Sequence, residues 1–107
     1  MRKTRVLLAD DHQLMRSGVR LMLEREPDIT VVGEAGDGRE AVALAKTLKP
    51  EVVVMDIGMP NLNGIEAALQ MTQHNPELAV VMLSMHSDES YVLRALKAGA
   101  RGYLLKD

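Results

Sequence analysis

The chain has no cysteine, no phenylalanine and no tryptophan among its 107 residues, and only 2% of it is aromatic. Without cysteine it has neither disulfides nor thiolate metal sites. That suits the reducing cytoplasm, which is the expected location. Without phenylalanine and tryptophan the core must be aliphatic, and the 8 methionines are available to fill it. Neither charge dominates: 13 Lys and Arg face 15 Asp and Glu, a net charge of −2, which argues against a nucleic-acid surface spread over this chain. No apolar run is long enough to cross a membrane, and no basic start with an apolar core and cleavage site marks a secretory signal. What is present is ordinary for a globular protein, 47% hydrophobic and 26% charged, at a length that fits one domain.

Short apolar runs alternate with helical patterns. Val6-Leu7-Leu8-Ala9 ends in Asp10-Asp11, and a helix is predicted from about His12 to Glu26, stopped by Pro27-Asp28. Along it Leu14, Gly18 and Leu21 share a face with Met15, Val19 and Met22, and Met15 and Met22 are read as core. A second run spans Ile29 to Ala35. After the turn Gly36-Asp37-Gly38, Asp37 and Glu40 have capping-box spacing for a helix ending before Pro50. Val52-Val53-Val54-Met55 ends in Asp56, and after a loop Asn63 and Glu66 repeat the cap pattern, with Ile65, Ala68 and Leu69 facing inward until His74-Asn75-Pro76. Leu78 to Leu83 ends in Ser84. A fourth helix starts at Ser87 or Asp88, buries Val92, Leu93, Ala95 and Leu96, and closes on Lys97-Ala98-Gly99. Tyr103-Leu104-Leu105 ends in Lys106. This (βα)₄β order, with strands apolar on both faces, predicts an α/β fold with a parallel sheet covered by helices.

Four of the five apolar runs therefore end in a polar residue: Asp10-Asp11, Asp56, Ser84 and Lys106. In an open parallel sheet, ligands bind beyond the carboxyl ends of the strands. A helix cap accounts for Asp11 or Ser84 taken singly, but Asp56 is too far from Asn63, and Lys106 caps nothing. Three carboxylates held together repel one another unless neutralised, and a hard, oxygen-seeking cation such as Mg²⁺ suits them. Such a site attracts a phosphoryl group, and a neighbouring carboxylate can attack it to form an acyl phosphate. Lys106 supplies a point charge for a phosphate oxygen, Ser84 a hydroxyl, and Gly58 room for close backbone approach.

The ordered set Asp10-Asp11, Asp56-Ile57-Gly58-Met59-Pro60 with Gly64, Ser84 and Lys106 resembles the receiver domain of two-component response regulators over the whole chain. Leu8-Ala9-Asp10-Asp11-His12, Leu83-Ser84-Met85-His86 and Gly102-Tyr103-Leu104-Leu105-Lys106-Asp107 look most like the NarL/FixJ-like subclass, whose output is usually a LuxR-type helix-turn-helix DNA-binding domain. The resemblance implies a flavodoxin-like, doubly wound, five-stranded parallel sheet of order 2-1-3-4-5. It implies Asp56 as phosphoacceptor, Mg²⁺ held by Asp11, Asp56 and the Gly58 carbonyl with Asp10 acting through water, and Lys106 and Ser84 on the phosphoryl group. Ser84 and Tyr103 would form the switch, and Gly58, Met85 and His86 would tune rates, a bulky Met85 by narrowing access. The phosphodonor would be a sensor histidine kinase. The protein would catalyse only its own phosphorylation and dephosphorylation and control transcription.

Other readings fare worse. A phosphohydrolase of the haloacid dehalogenase type places a second Asp two residues after its nucleophile, and here that residue is Gly58. A flavodoxin-like cofactor carrier lacks a phosphate-cradling loop after the first strand, and a purely structural module leaves the acids unexplained. His12, His74 and His86 lie on separate segments without i, i+4 pairing and read as loop or surface residues rather than zinc ligands. Arg16, Arg20, Arg39, Arg94 and Arg101 read as solvated. Because βαβ connections are right-handed, helix one stands alone on one face of the sheet and the later helices share the other. Part of the helix-one face is then bare. The expectation is a receiver spanning 1–107 that lacks its last helix, with a fifth helix and DNA-binding domain following Asp107, or a second copy covering helix one and the bare face.

Overall fold

The computed structural model describes residues 3–56, 59, 62–84 and 100–105. In chain order the elements are β1 (Thr4–Ala9), α1 (Gln13–Glu24), β2 (Ile29–Ala35), α2 (Gly38–Leu48), β3 (Val52–Asp56), α3 (Gly64–His74), β4 (Ala79–Ser84) and β5 (Ala100–Leu105). The helix expected between Ser87 or Asp88 and Gly99 lies outside the described residues. The strands form one parallel sheet of order β2-β1-β3-β4-β5, as expected. β5 begins at Ala100, ahead of its apolar run, because backbone pairing to β4 does not require an apolar side chain.

The two faces of the sheet are covered differently. On one, Leu7, Ala9, Val53, Met55, Val80 and Met82 pack with residues of α2 and α3 into the main core. The helices contribute small residues there, Ala41, Ala67 and Ala68, all fully buried, so they approach the sheet closely. Met55, Met59, Met71 and Met82 fill the space that aromatic rings would otherwise take. On the opposite face Val6, Leu8 and Val31 pack against Val19 and Leu23 of α1, with Val52 and Val54 at the margin. α1 therefore lies alone on its side of the sheet relative to α2 and α3, as right-handed connections require.

The caps are where local spacing put them. Asp37 accepts a hydrogen bond from the Glu40 amide at 2.8 Å, and Asn63 from the Glu66 amide at 3.0 Å. α2 stops at Lys49, which adopts the left-handed conformation before Pro50.

Two expectations about helix faces are corrected. Met15 and Met22 are 38% and 61% exposed, and Leu14 and Leu21 are more exposed still. No residue of α1 is fully buried. The apolar positions of α1 spread around the helix, and the sheet takes the stripe carrying Val19 and Leu23. Leu69 likewise stays 36% exposed, because Ala68 and Met71 take the inward positions of α3. Among the described residues no helix is long and apolar enough to cross a membrane.

Candidate metal and phosphoryl site

The strand register sets the site. Ala9 lies opposite Met55 in the pairing of β1 with β3, so Asp10 and Asp56 each follow a matched pair and emerge side by side at the carboxyl edge. Strand order reverses between β1 and β3, the position at which open α/β sheets bind ligands. Both carboxylates are buried, Asp10 at 4% and Asp56 at 7% exposure, while Asp11 beside them is open to solvent. Beyond Asp56, the Met59 side chain is buried in the main core and Leu62 packs against that core.

One ligand atom from each of Asp10, Asp11, His12 and Asp56 falls within a sphere where all lie within 4.8 Å of one another. Burying carboxylates this close together is unfavourable unless a positive charge or donors balance them. The donor set is rich in carboxylate oxygen and open to solvent at Asp11, which fits a hard divalent cation that retains waters.

Several backbone and side-chain bonds shape this edge. The Asp10 amide donates to the Ala35 carbonyl at 3.0 Å. The Asp10 carboxylate accepts from the His12 amide at 2.9 Å, closing the turn that starts α1. The His12 ring nitrogen Nδ1 lies 3.3 Å from Asp10 Oδ1 and 3.1 Å from Asp11 Oδ1. Arg16 reaches the same loop from α1, donating through Nη1 to the Asp10 carbonyl at 2.6 Å and through Nε to Glu34 at 2.8 Å. Arg20 also donates to Glu34, from Nη1. The Arg20 hydrogen bond is the main cause holding the Glu34 carboxyl below the usual glutamate range; partial burial opposes it, and the Arg16 bond adds to it. The same pairing raises the already high pKa of Arg20.

Of the residues singled out in the sequence, Asp10, Asp11 and Asp56 come together. Ser84 ends β4 opposite Leu105, and Tyr103 lies in β5 opposite Met82. Gly58, Met85, His86 and Lys106 lie outside the described residues. Three side chains make contacts beyond the sequence reading. His12 is a surface residue as expected, its side chain 69% exposed, and its ring also lies against the acids, a contact signalled by its position directly after Asp10-Asp11. Arg16 and Arg20 were read as solvated and instead share Glu34, a partner on β2 that no local pattern reveals.

Comparison with known proteins bears on the family and the fold. The response regulator receiver domain profile matches residues 6–107. The chain is 48% identical over 105 residues to the transcriptional regulatory protein DegU of Brevibacillus brevis, covering 98% of this chain and 44% of DegU. The chain thus spans about half the length of the curated relatives it matches. Its structure superposes on the signal receiver domain of the putative response regulator NarL from Mycobacterium tuberculosis with a TM-score of 0.96 at 38% identity, covering 100% of this chain and 86% of that one. A CheX–CheY complex of Borrelia burgdorferi, solved with BeF3 and Mg²⁺, matches with a TM-score of 0.94 at 26% identity over 99% of this chain and 80% of that one.

Proposed function

This chain belongs to the response regulator receiver domain family, and on that premise we propose that it is a phosphorylation switch whose phosphoacceptor is Asp56. The observation that carries this reading is the convergence of Asp10, Asp11 and Asp56 at the ends of two adjacent parallel strands. The phosphodonor is a phosphohistidine on a sensor kinase. A carboxylate oxygen of Asp56 attacks the phosphorus, the P–N bond breaks as the P–O bond forms, and the leaving imidazole takes up a proton. Hydrolysis of the acyl phosphate by water returns the Asp56 carboxylate and releases inorganic phosphate. The protein turns over no substrate other than this group.

Asp11, Asp56 and the Gly58 carbonyl would hold Mg²⁺ directly, with Asp10 acting through water. When bound, the ion neutralises charge on the phosphoryl oxygens. Lys106 contacts the phosphoryl group, and Ser84 donates its hydroxyl to it after transfer, with Tyr103 moving in step. Gly58, Met85 and His86 tune the rates. The BeF3 and Mg²⁺ in the Borrelia CheX–CheY complex support this assignment by likeness.

A switch of this kind needs an element whose two states the phosphoryl group biases. We place the readout in transcription control through a LuxR-type DNA-binding domain in a longer parent protein, in the cytoplasm. Val52, Val54 and Val81 are only half-buried on the α1 side of the sheet. A helix following β5, or a second copy of the chain, would cover that face.

The test is thermal unfolding with Mg²⁺ and beryllofluoride, which mimics an acyl phosphate. Together they should raise the midpoint of the wild type and leave Asp56→Asn unchanged. The absence of any response in the wild type would overturn the reading.

A further inference from the structure

We infer that Arg16 is a positioning residue for the acidic site, acting on the peptide that joins Asp10 to Asp11. This rests on the reading that those acids hold Mg²⁺.

The geometry is specific. The Asp10 carbonyl, which Arg16 Nη1 contacts at 2.6 Å, belongs to the same rigid peptide plane as the Asp11 amide. That plane lies between ψ of Asp10 and φ of Asp11, the two torsions that set how the two acidic residues are placed relative to one another. The plane preceding it is fixed independently, because the Asp10 amide donates to the Ala35 carbonyl at 3.0 Å. The Asp10 side chain is occupied as acceptor of the His12 amide at 2.9 Å. Among these bonds the one on the linking peptide comes from Arg16.

Arg16 is itself held. Its Nε donates to Glu34 Oε1 at 2.8 Å, Nη1 also reaches the Ala35 carbonyl at 3.5 Å, and its side chain is only 19% exposed. Glu34 is clamped from its other oxygen by Arg20, two positions on the same α1 helix thus gripping one residue of β2. A guanidinium suits this task because its planar fork holds its donors in fixed relative directions toward two acceptors, whereas the donors of an ammonium rotate about a single point charge. The Asp10–Asp11 peptide is thereby referenced to α1 and to β2.

The sign of the effect separates positioning from charge. Arg16 is a cation beside carboxylates, so removing its charge alone would tighten binding of a divalent cation. Losing its grip on the peptide would weaken binding. Groups that orient metal ligands without touching the metal commonly change affinity by about ten- to a hundredfold when removed.

The experiment is calorimetric titration of the folded 107-residue chain with Mg²⁺. Arg16→Met retains the stem and should weaken Mg²⁺ binding by about tenfold. Arg16→Lys keeps the charge and loses the fork, and should weaken it by a smaller factor; it carries the test if Arg16→Met fails to fold. Arg5→Met is the matched control: it removes one cation and one guanidinium–carbonyl bond, to Lys49 at 2.8 Å, from the opposite end of β1. Its Mg²⁺ affinity should equal that of the wild type. A merely structural role for Arg16 would lower thermal stability and leave Mg²⁺ affinity alone. Arg16 variants that bind Mg²⁺ as tightly as the wild type, or more tightly, overturn the inference. A wild type that binds no Mg²⁺ instead overturns the reading of the acids on which it rests.

Discussion

Gly38 lies so close to Leu62 that a Cβ at position 38 would come within 1.7 Å of the Leu62 carbonyl oxygen and 2.6 Å of its carbonyl carbon. Both atoms are backbone, so no side-chain rotation relieves the contact. Gly38 opens α2 and Leu62 belongs to the segment between Asp56 and α3. The N-terminal turn of α2 is thus seated, through a glycine, against Leu62 in the segment that leads from Asp56 to α3.

Helix propensity alone favours alanine over glycine by about 1 kcal/mol. At position 38 the opposite sign is expected. Gly38→Ala should lose about 1–3 kcal/mol in urea unfolding as the loop is displaced, and its Mg²⁺ affinity should fall because Asp56 stands at the start of that loop. A variant as stable as the wild type, with unchanged Mg²⁺ binding, would show that the loop relaxes freely.

The Glu34 carboxyl, held below the usual glutamate range chiefly by Arg20, makes stability depend on pH. A depressed folded-state pKa contributes stability that is fully present above the unfolded value and is lost as pH falls through the folded one. Wild type should therefore exceed Glu34→Gln in stability at neutral pH, and that margin should shrink at acid pH below the ordinary glutamate range. The cluster is partly exposed, so salt should reduce the margin as well. Urea unfolding of both proteins across the acid range, with and without added salt, measures it.

Burial separates two kinds of apolar residue. Met71 is 3% exposed in the main core and Leu14 is 88% exposed on α1. Met71→Ala should cost about 2–5 kcal/mol, and Leu14→Ala less than about 0.5 kcal/mol in the monomer. Equal losses in equilibrium unfolding would mean that the outer face of α1 is covered in solution.

The sheet was legible because its strands are short, apolar on both faces and punctuated by polar residues, and those same residues mark the carboxyl edge. Asp37 and Asn63 were legible because a cap is a contact over three residues. The face of α1 was not: Leu14, Met15, Leu21 and Met22 extend around the helix, and which stripe is buried depends on where β1 and β2 lie. The roles of His12 and Arg16 were hidden for different reasons. The His12 ring must turn back over two preceding acids, which composition does not dictate. Arg16 finds Glu34 across a loop and a strand, a pairing set by the packing of α1 on the sheet.

Incubation with a small-molecule phosphodonor, followed by intact-mass measurement, tests the central assignment most directly. With Mg²⁺ the wild type should gain the mass of a single phosphoryl group, and should lose it on exposure to base or hydroxylamine, as an acyl phosphate does. The gain should vanish without Mg²⁺ and in Asp56→Asn. Phosphorylation of Asp56→Asn to the level of the wild type would contradict the account.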